Sequence, residues 1–204
     1  MRDLDKALID IRAMRSQIAR GMVFRGYGPA ALATSGVLAF VFAIAQSWWV
    51  ENPAADVLSY IALWTAAAVL SAAVVGMDVI TRSQRVHSGL ADEMIQSAVK
   101  QLLPAAIAGA LLTFVLVRFA PQSTWMLPGL WQIILSLGVF ASCRSLPTPI
   151  IAVAIWYLGS GLFCLAFASG TEAFSPWAMG VPFGIGQLLA AALIQMSGSP
   201  GEED

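Results

Sequence analysis

Apolar residues do not alternate with polar ones along most of this chain. They run in blocks of about twenty, separated by short polar or proline-containing breaks. A block of that length is what an α-helix needs to cross a bilayer, since a hydrocarbon core of about 30 Å takes roughly 20 residues at 1.5 Å each. Six such blocks are read, over about residues 29–50, 57–77, 102–120, 125–143, 149–168 and 176–196. The pattern therefore predicts an all-α, polytopic membrane protein with six transmembrane helices, its membrane domain covering residues 29–196. Before it, residues 1–28 place Leu4, Leu8, Ile11 and Ile18 on one helical stripe, with Asp3, Asp5, Lys6, Arg12 and Arg20 largely off it. This predicts a short amphipathic basic helix, suited to an anionic cytoplasmic leaflet or to a docking partner. Residues 197–204 end in Glu202-Glu203-Asp204 and read as a disordered acidic tail.

The breaks carry their own signals. Glu51-Asn52-Pro53 makes a short turn, Pro121 and Pro128 bracket another, and Arg144 opens a tight one that holds Pro147 and Pro149. The segment from Asp78 to Gln101 is polar. Ser88 there is a candidate N-cap, followed by Asp92 and Glu93 where acids favour the helix dipole, so this loop is expected to end in an amphipathic helix. Pro104 would then fall in the first turn of the third span, where proline costs little. Ala43-Ile44-Ala45 before Gln46 has the look of a signal-peptidase site, but 28 charged-rich residues precede the block, and an uncleaved first helix is the reading.

Composition sharpens this. Of 204 residues 58% are hydrophobic and 11% charged, with mean hydropathy +0.76. Soluble domains average about 25% charged. Between Gln101 and Gly201 the charged residues are Arg118, Arg144 and Glu172, too few to cover a water-exposed domain. Charge also orients the chain. Ten of the 11 basic residues lie before Pro29, between Asp78 and Gln101, or at Arg144, all on one side of a six-span threading; Arg118 alone is opposite. The positive-inside rule puts both termini in the cytoplasm, and Trp48, Trp49, Trp125 and Trp177 then fall at the outer interface. Cys143 and Cys164 belong to different depths and are not expected to pair.

Close helix packing is expected where small residues recur every fourth position. Gly180 and Gly184 form such a face in the last block, and Ala68, Ala72 and Gly76 in the second. Pro182 removes a backbone donor from the same last block; with Gly184 and Gly186 it marks a stretch expected to unwind locally before Gln187.

Candidate chemistry is sparse. The middle of every block is uncharged, which argues against proton-coupled or ion-coupled work. His87 is the single histidine and lies in the polar loop, so no bis-histidine haem site or His-rich zinc site forms within the chain. No catalytic residue, cofactor or metal ligand is assigned, and the chain is not read as an enzyme. What remains is a neutral polar seam, Gln132, Gln187, Ser136 and Tyr157, accompanied by Gln46, Tyr60, Thr65 and Ser160. It serves either as hydrogen-bonding glue between helices or as the lining of a pocket for an uncharged solute or lipid.

Residues 131–143, opening on Trp131-Gln132, and 175–187, opening on Ser175-Pro176-Trp177, resemble a group of small, uncharacterised bacterial multi-spanning inner-membrane proteins. The likeness extends to Phe24-Arg25-Gly26-Tyr27-Gly28-Pro29 and to His87-Ser88-Gly89-Leu90-Ala91-Asp92. It implies a bacterial inner-membrane setting and brings no activity, substrate or catalytic residue. The expected role is that of an accessory or regulatory membrane subunit, in contact with the lipid bilayer and docking a cytosolic or membrane partner or a further copy of itself, without nucleic acid. The alternative is a small carrier or channel for a neutral or lipid-like solute.

Overall fold

The apolar blocks become helices whose oily side chains point outward. In the computed structural model, which describes residues 28–50, 52–85, 91–143, 148–168 and 170–198, six α-helices follow one another. They are α1 (Pro29–Trp49), α2 (Val57–Arg85), α3 (Ala91–Phe119), α4 (Leu127–Ser142), α5 (Ile151–Phe167) and α6 (Pro176–Gly198). Single 3-10 turns precede three of them, at Pro121–Met126, Thr148–Ile150 and Gly170–Phe174. No strand occurs among the described residues. The basic amphipathic segment before Gly28, His87 and Ser88, Arg144 and the acidic tail lie outside the described residues.

Burial is inverted relative to a water-soluble protein. Trp48 and Trp49 are 77% and 78% exposed and Phe119 and Phe167 both 70%, while Gln46, Gln132 and Ser136 are fully buried. Soluble monomers rarely expose apolar surface on this scale. Four helical stretches are long and apolar enough to cross a membrane: Pro29–Trp49, Val57–Thr81, Pro121–Ser142 and Pro176–Ser197. Two apolar stretches are shorter, Leu103–Phe119 and Ile151–Phe167.

The helices run alternately up and down, so the molecule has a near end, where α1 starts, and a far end, where it finishes. α1 and α6 form the tightest pair. A Cβ at Gly36 would lie 3.0 Å from the Gly184 carbonyl oxygen, one at Gly180 would lie 2.6 Å from the Ala43 Cβ, and one at Gly184 would meet the Phe40 ring. Backbone thus lies on backbone, which is how helices associate without a hydrophobic gradient to drive them. From this pair the ring continues through α5, α4 and α3 on one side and α2 on the other. The α4–α5 crossing is equally close: Cβ atoms at Gly129 and Gly161 would lie 2.8 and 2.7 Å from each other's carbonyl oxygens. Two clusters fill the interior. Leu32, Ile150, Val153, Tyr157, Ala190 and Ala191 occupy the near half; Ala43, Tyr60, Trp64, Ala67, Phe174 and Met179 the far half; Phe183 touches both.

Two helices run beyond the apolar blocks read from the sequence. α2 does not stop near Met77 but runs to Arg85, and α3 begins at Ala91 rather than near Leu102. Nothing between Asp78 and Arg85 breaks a helix: there is no proline or glycine. Asp78 is occupied instead, its Oδ2 accepting the Gly28 N–H at 2.7 Å. That contact places a carboxylate at the N-terminus of α1, where the macrodipole favours it, and pins α1 to α2. In consequence Pro104 sits inside α3, where it deprives the carbonyl of residue 100 of its intrahelical donor. At the other end of α2, Asp56 caps the helix by accepting the Ser59 N–H at 3.2 Å. Hydrogen bonds from the Ser59 side chain, then its backbone, hold the Asp56 carboxyl below its ordinary value. Ala68 and Ala72 are exposed and Gly76 has open space beside it, so the small-residue row of α2 faces away from the rest of the chain.

Replacing Gly129 or Gly161 by Val is expected to cost about 1–3 kcal/mol, because the new side chain meets a carbonyl on a neighbouring helix. Gly159→Ala, at an exposed glycine with nothing within 4 Å, should stay within about 0.5 kcal/mol. Unfolding in mixed micelles, followed by circular dichroism, separates the two.

Candidate functional site

Polar side chains inside the bundle are organised around α6, the helix that carries Pro182. A proline at this position has no N–H, so the carbonyl four residues earlier, that of Ala178, loses its helical partner. In lipid there is no water to replace it, and an unsatisfied carbonyl costs several kcal/mol. The Gln132 side chain on α4 supplies the missing donor: its Nε2 gives a 2.9 Å hydrogen bond to the Ala178 carbonyl. The Trp156 indole on α5 donates to the carbonyl of Pro182 itself at 2.9 Å. Held from two sides, α6 remains one helix from Pro176 to Gly198. The local unwinding expected before Gln187 does not occur, and the reason is this donation from neighbouring helices.

A second set of bonds ties the far end. Gln46, at the end of α1, donates through Nε2 to the Phe174 carbonyl at 2.7 Å and accepts the Trp64 indole N–H through Oε1 at 2.7 Å. One side chain thereby joins α1, α2 and the turn Gly170–Phe174. Tyr60 packs edge-on against Phe174, with ring centroids 5.0 Å apart, and stacks parallel to Trp131 at 6.5 Å. Trp131 continues the chain of contacts to α3, donating to Thr113 Oγ1 at 2.9 Å. The turns Pro121–Met126 and Gly170–Phe174 touch each other across this end and close it over the aromatic rings.

The four residues of the sequence-derived seam meet in two places rather than one. Gln132 and Ser136 stand one turn apart on α4, both fully buried. Tyr157 and Gln187 lie nearer the other end, where the Tyr157 hydroxyl donates to the Phe183 carbonyl at 3.5 Å. A Cβ at Gly186 would run into the Tyr157 ring. Ala178 and Gln187 are nine residues apart, so about 13 Å of helix separates the two sites. Thr65 is exposed and takes no part. Cys143 and Cys164 are both free thiols, and among the described residues no three His, Cys, Asp or Glu side chains gather as metal ligands.

Two members of the network were not singled out by sequence: Thr113 as the partner of Trp131, and the Ala178 carbonyl as the partner of Gln132. The second had a readable signal. A proline inside an apolar block orphans the carbonyl four residues before it, and a lone glutamine in another block is the natural donor.

The Gln132–Ala178 bond should therefore matter only while Pro182 is present. Gln132→Leu is expected to lower the unfolding free energy by about 1–3 kcal/mol. Pro182→Ala restores a backbone donor to Ala178, and in that background the same substitution should cost less by at least 0.5 kcal/mol, a coupling that a double-mutant cycle in mixed micelles measures.

Comparison with known proteins attaches no family to this geometry: no family model matches the chain, and neither a curated protein nor a solved structure matches it.

Proposed function

We propose that the chain spans a bacterial inner membrane six times, with both termini cytoplasmic, and serves as an accessory or regulatory membrane subunit that docks a partner on the cytoplasmic side. Six spans are supported by position as well as length. The shorter apolar stretch of α5 is about 25 Å long and gains roughly 6 Å from the 3-10 turn before it. It packs between α6, which is of full length, and α4, which reaches full length with the 3-10 segment before it. The apolar half of α3 packs on α4 in the same way. The bacterial setting rests on the resemblance of residues 131–143 and 175–187.

The observation that carries the subunit reading is the hairpin of α2 and α3. Each is 29 residues long, about 43 Å, against a hydrocarbon core of about 30 Å. With Leu103–Phe119 in lipid, the first twelve residues of α3 stand about 18 Å clear of it. Ten of the 11 basic residues lie on this side, including those of the segment before Pro29. Helices that continue past their apolar stretches, in a chain that also carries a basic amphipathic segment, are suited to holding a protein. The interior fits the same role, since Gln46, Gln132, Trp64 and Trp156 are committed to tying helices together. The carrier reading draws support from the Tyr60 hydroxyl, Gln132 Oε1 and Ser136 Oγ, buried without a protein partner.

Threading is tested with a chain in which both native cysteines are replaced. Asn52→Cys should react with a membrane-impermeant maleimide on intact cells, and Gln84→Cys only after permeabilisation; the reverse pattern refutes the orientation. Function is tested by a photocrosslinking amino acid at Gln84 or Gln96 in native membranes. A discrete adduct of one mass from these positions, absent from a lipid-facing control at Leu111, is expected. No adduct, together with flux of a neutral solute into vesicles containing the pure protein, would decide for the carrier.

A further inference from the structure

Several hydroxyls inside these helices are satisfied by their own helix. Thr34, Ser35, Thr113 and Ser142 each donate to a carbonyl three or four residues earlier in their own helix. Ser136 does not. Its Oγ has no protein partner, and neither do Gln132 Oε1 and the Tyr60 hydroxyl, although all three residues are fully buried. Burying an unpaired polar atom is costly, so three in one small bundle require a physical account.

Gln132 supplies it. The Ala178 carbonyl can only accept, so the end of the Gln132 amide that faces it must be the Nε2 donor. That fixes the other end as an acceptor, Oε1, still in need of a donor. Ser136 follows one helical turn later, so the two side chains project from the same face of α4 at a separation of about 6 Å. Its hydroxyl can both donate and accept. A molecule set between them must give a proton to Oε1 and is free to exchange one with Oγ. An anion lacks the proton, and no charged side chain lies in the middle of the spans to hold an ion there. A small neutral O–H fits, and the smallest is water, which occupies buried polar sites with two to four partners.

We infer that Gln132 Oε1 and Ser136 Oγ hold an internal water molecule on the buried face of α4. The water completes the repair of α6. Gln132 is held at its nitrogen by the carbonyl that Pro182 leaves free and at its oxygen by the water, so the amide cannot rotate away from its task.

The sign of one substitution tests this. If the Ser136 hydroxyl is an orphan, Ser136→Ala removes a buried unpaired group and raises the melting temperature of the intact protein in mild detergent. If the hydroxyl holds water, the same substitution takes away one of its partners and lowers the melting temperature, by about 2–4 °C. Ser142→Ala, which removes a back-bonded hydroxyl, sets the reference for a serine lost from α4. A second measurement uses the wild-type chain in nanodiscs: the Gln132 side-chain amide protons should show a nuclear Overhauser cross-peak at the water frequency. An increased or unchanged melting temperature for Ser136→Ala relative to Ser142→Ala, or absence of the water cross-peak, overturns the inference.

Discussion

Inside a bilayer a peptide group cannot fall back on solvent, and that rule decides most of what is distinctive here. A helix meets it automatically until a proline intervenes. Pro182 lies in the first third of α6, the helix packed most closely against α1, and the gap it opens is closed by side chains from α4 and α5. The repair therefore has a topological effect. A defect in one helix becomes a set of bonds among three, and α4, which otherwise touches α6 only lightly, acquires a directed contact with it. The same device works at the end of α1, where Gln46 takes one bond from α2 and gives another to the turn before α6. Interhelical hydrogen bonds in membranes are worth only about 0.6 kcal/mol each on average. Their value here is in register: each fixes the rotation and depth of one helix against the next, which oily surfaces in oily solvent do poorly.

Close backbone approach supplies the remaining adhesion, and it was only partly legible in the sequence. Gly180 and Gly184 announce themselves by spacing, and they do lie against Ala43 and Phe40. The Gly129–Gly161 crossing has no such spacing, because each helix contributes a single glycine and the contact exists only once both are placed. The row Ala68, Ala72 and Gly76 shows the converse: four-residue spacing marks a face that another helix can approach, but not whether one does within the same chain. Periodicity records a helix's capacity; the partner is decided by which faces the connections allow to meet.

Legibility fails in a similar way at the polar segment from Asp78 to Gln101. Charge and polarity mark where the apolar blocks end, and on that basis the spans were expected to end at both edges of this segment. Helical structure does not need lipid, however. With no proline or glycine before Arg85, α2 continues after its surroundings change, and Asp78 finds use as the anchor of α1 rather than as a terminator. The limits of the apolar blocks and the limits of the helices are separate quantities, and the difference between them is the arm on which the docking proposal rests.

The two polar clusters carry opposite implications, and separating them clarifies what the interior is for. The Tyr157–Gln187 pair sits where α5 and α6 are in direct contact, with Gly186 leaving room for the tyrosine ring. The Tyr157 hydroxyl there has the Phe183 carbonyl as acceptor. At Gln132 and Ser136 the accounting with protein atoms alone is incomplete, although one end of Gln132 is committed to the most demanding bond in the molecule. A glutamine is the economical choice for such a position. Its amide offers a donor to the broken helix and an acceptor to something small, and a leucine of similar bulk offers neither. The incomplete partnership is thus a consequence of using a two-ended group to mend a one-sided defect, and a neutral hydrogen-bond donor of the size of water is what the second end calls for.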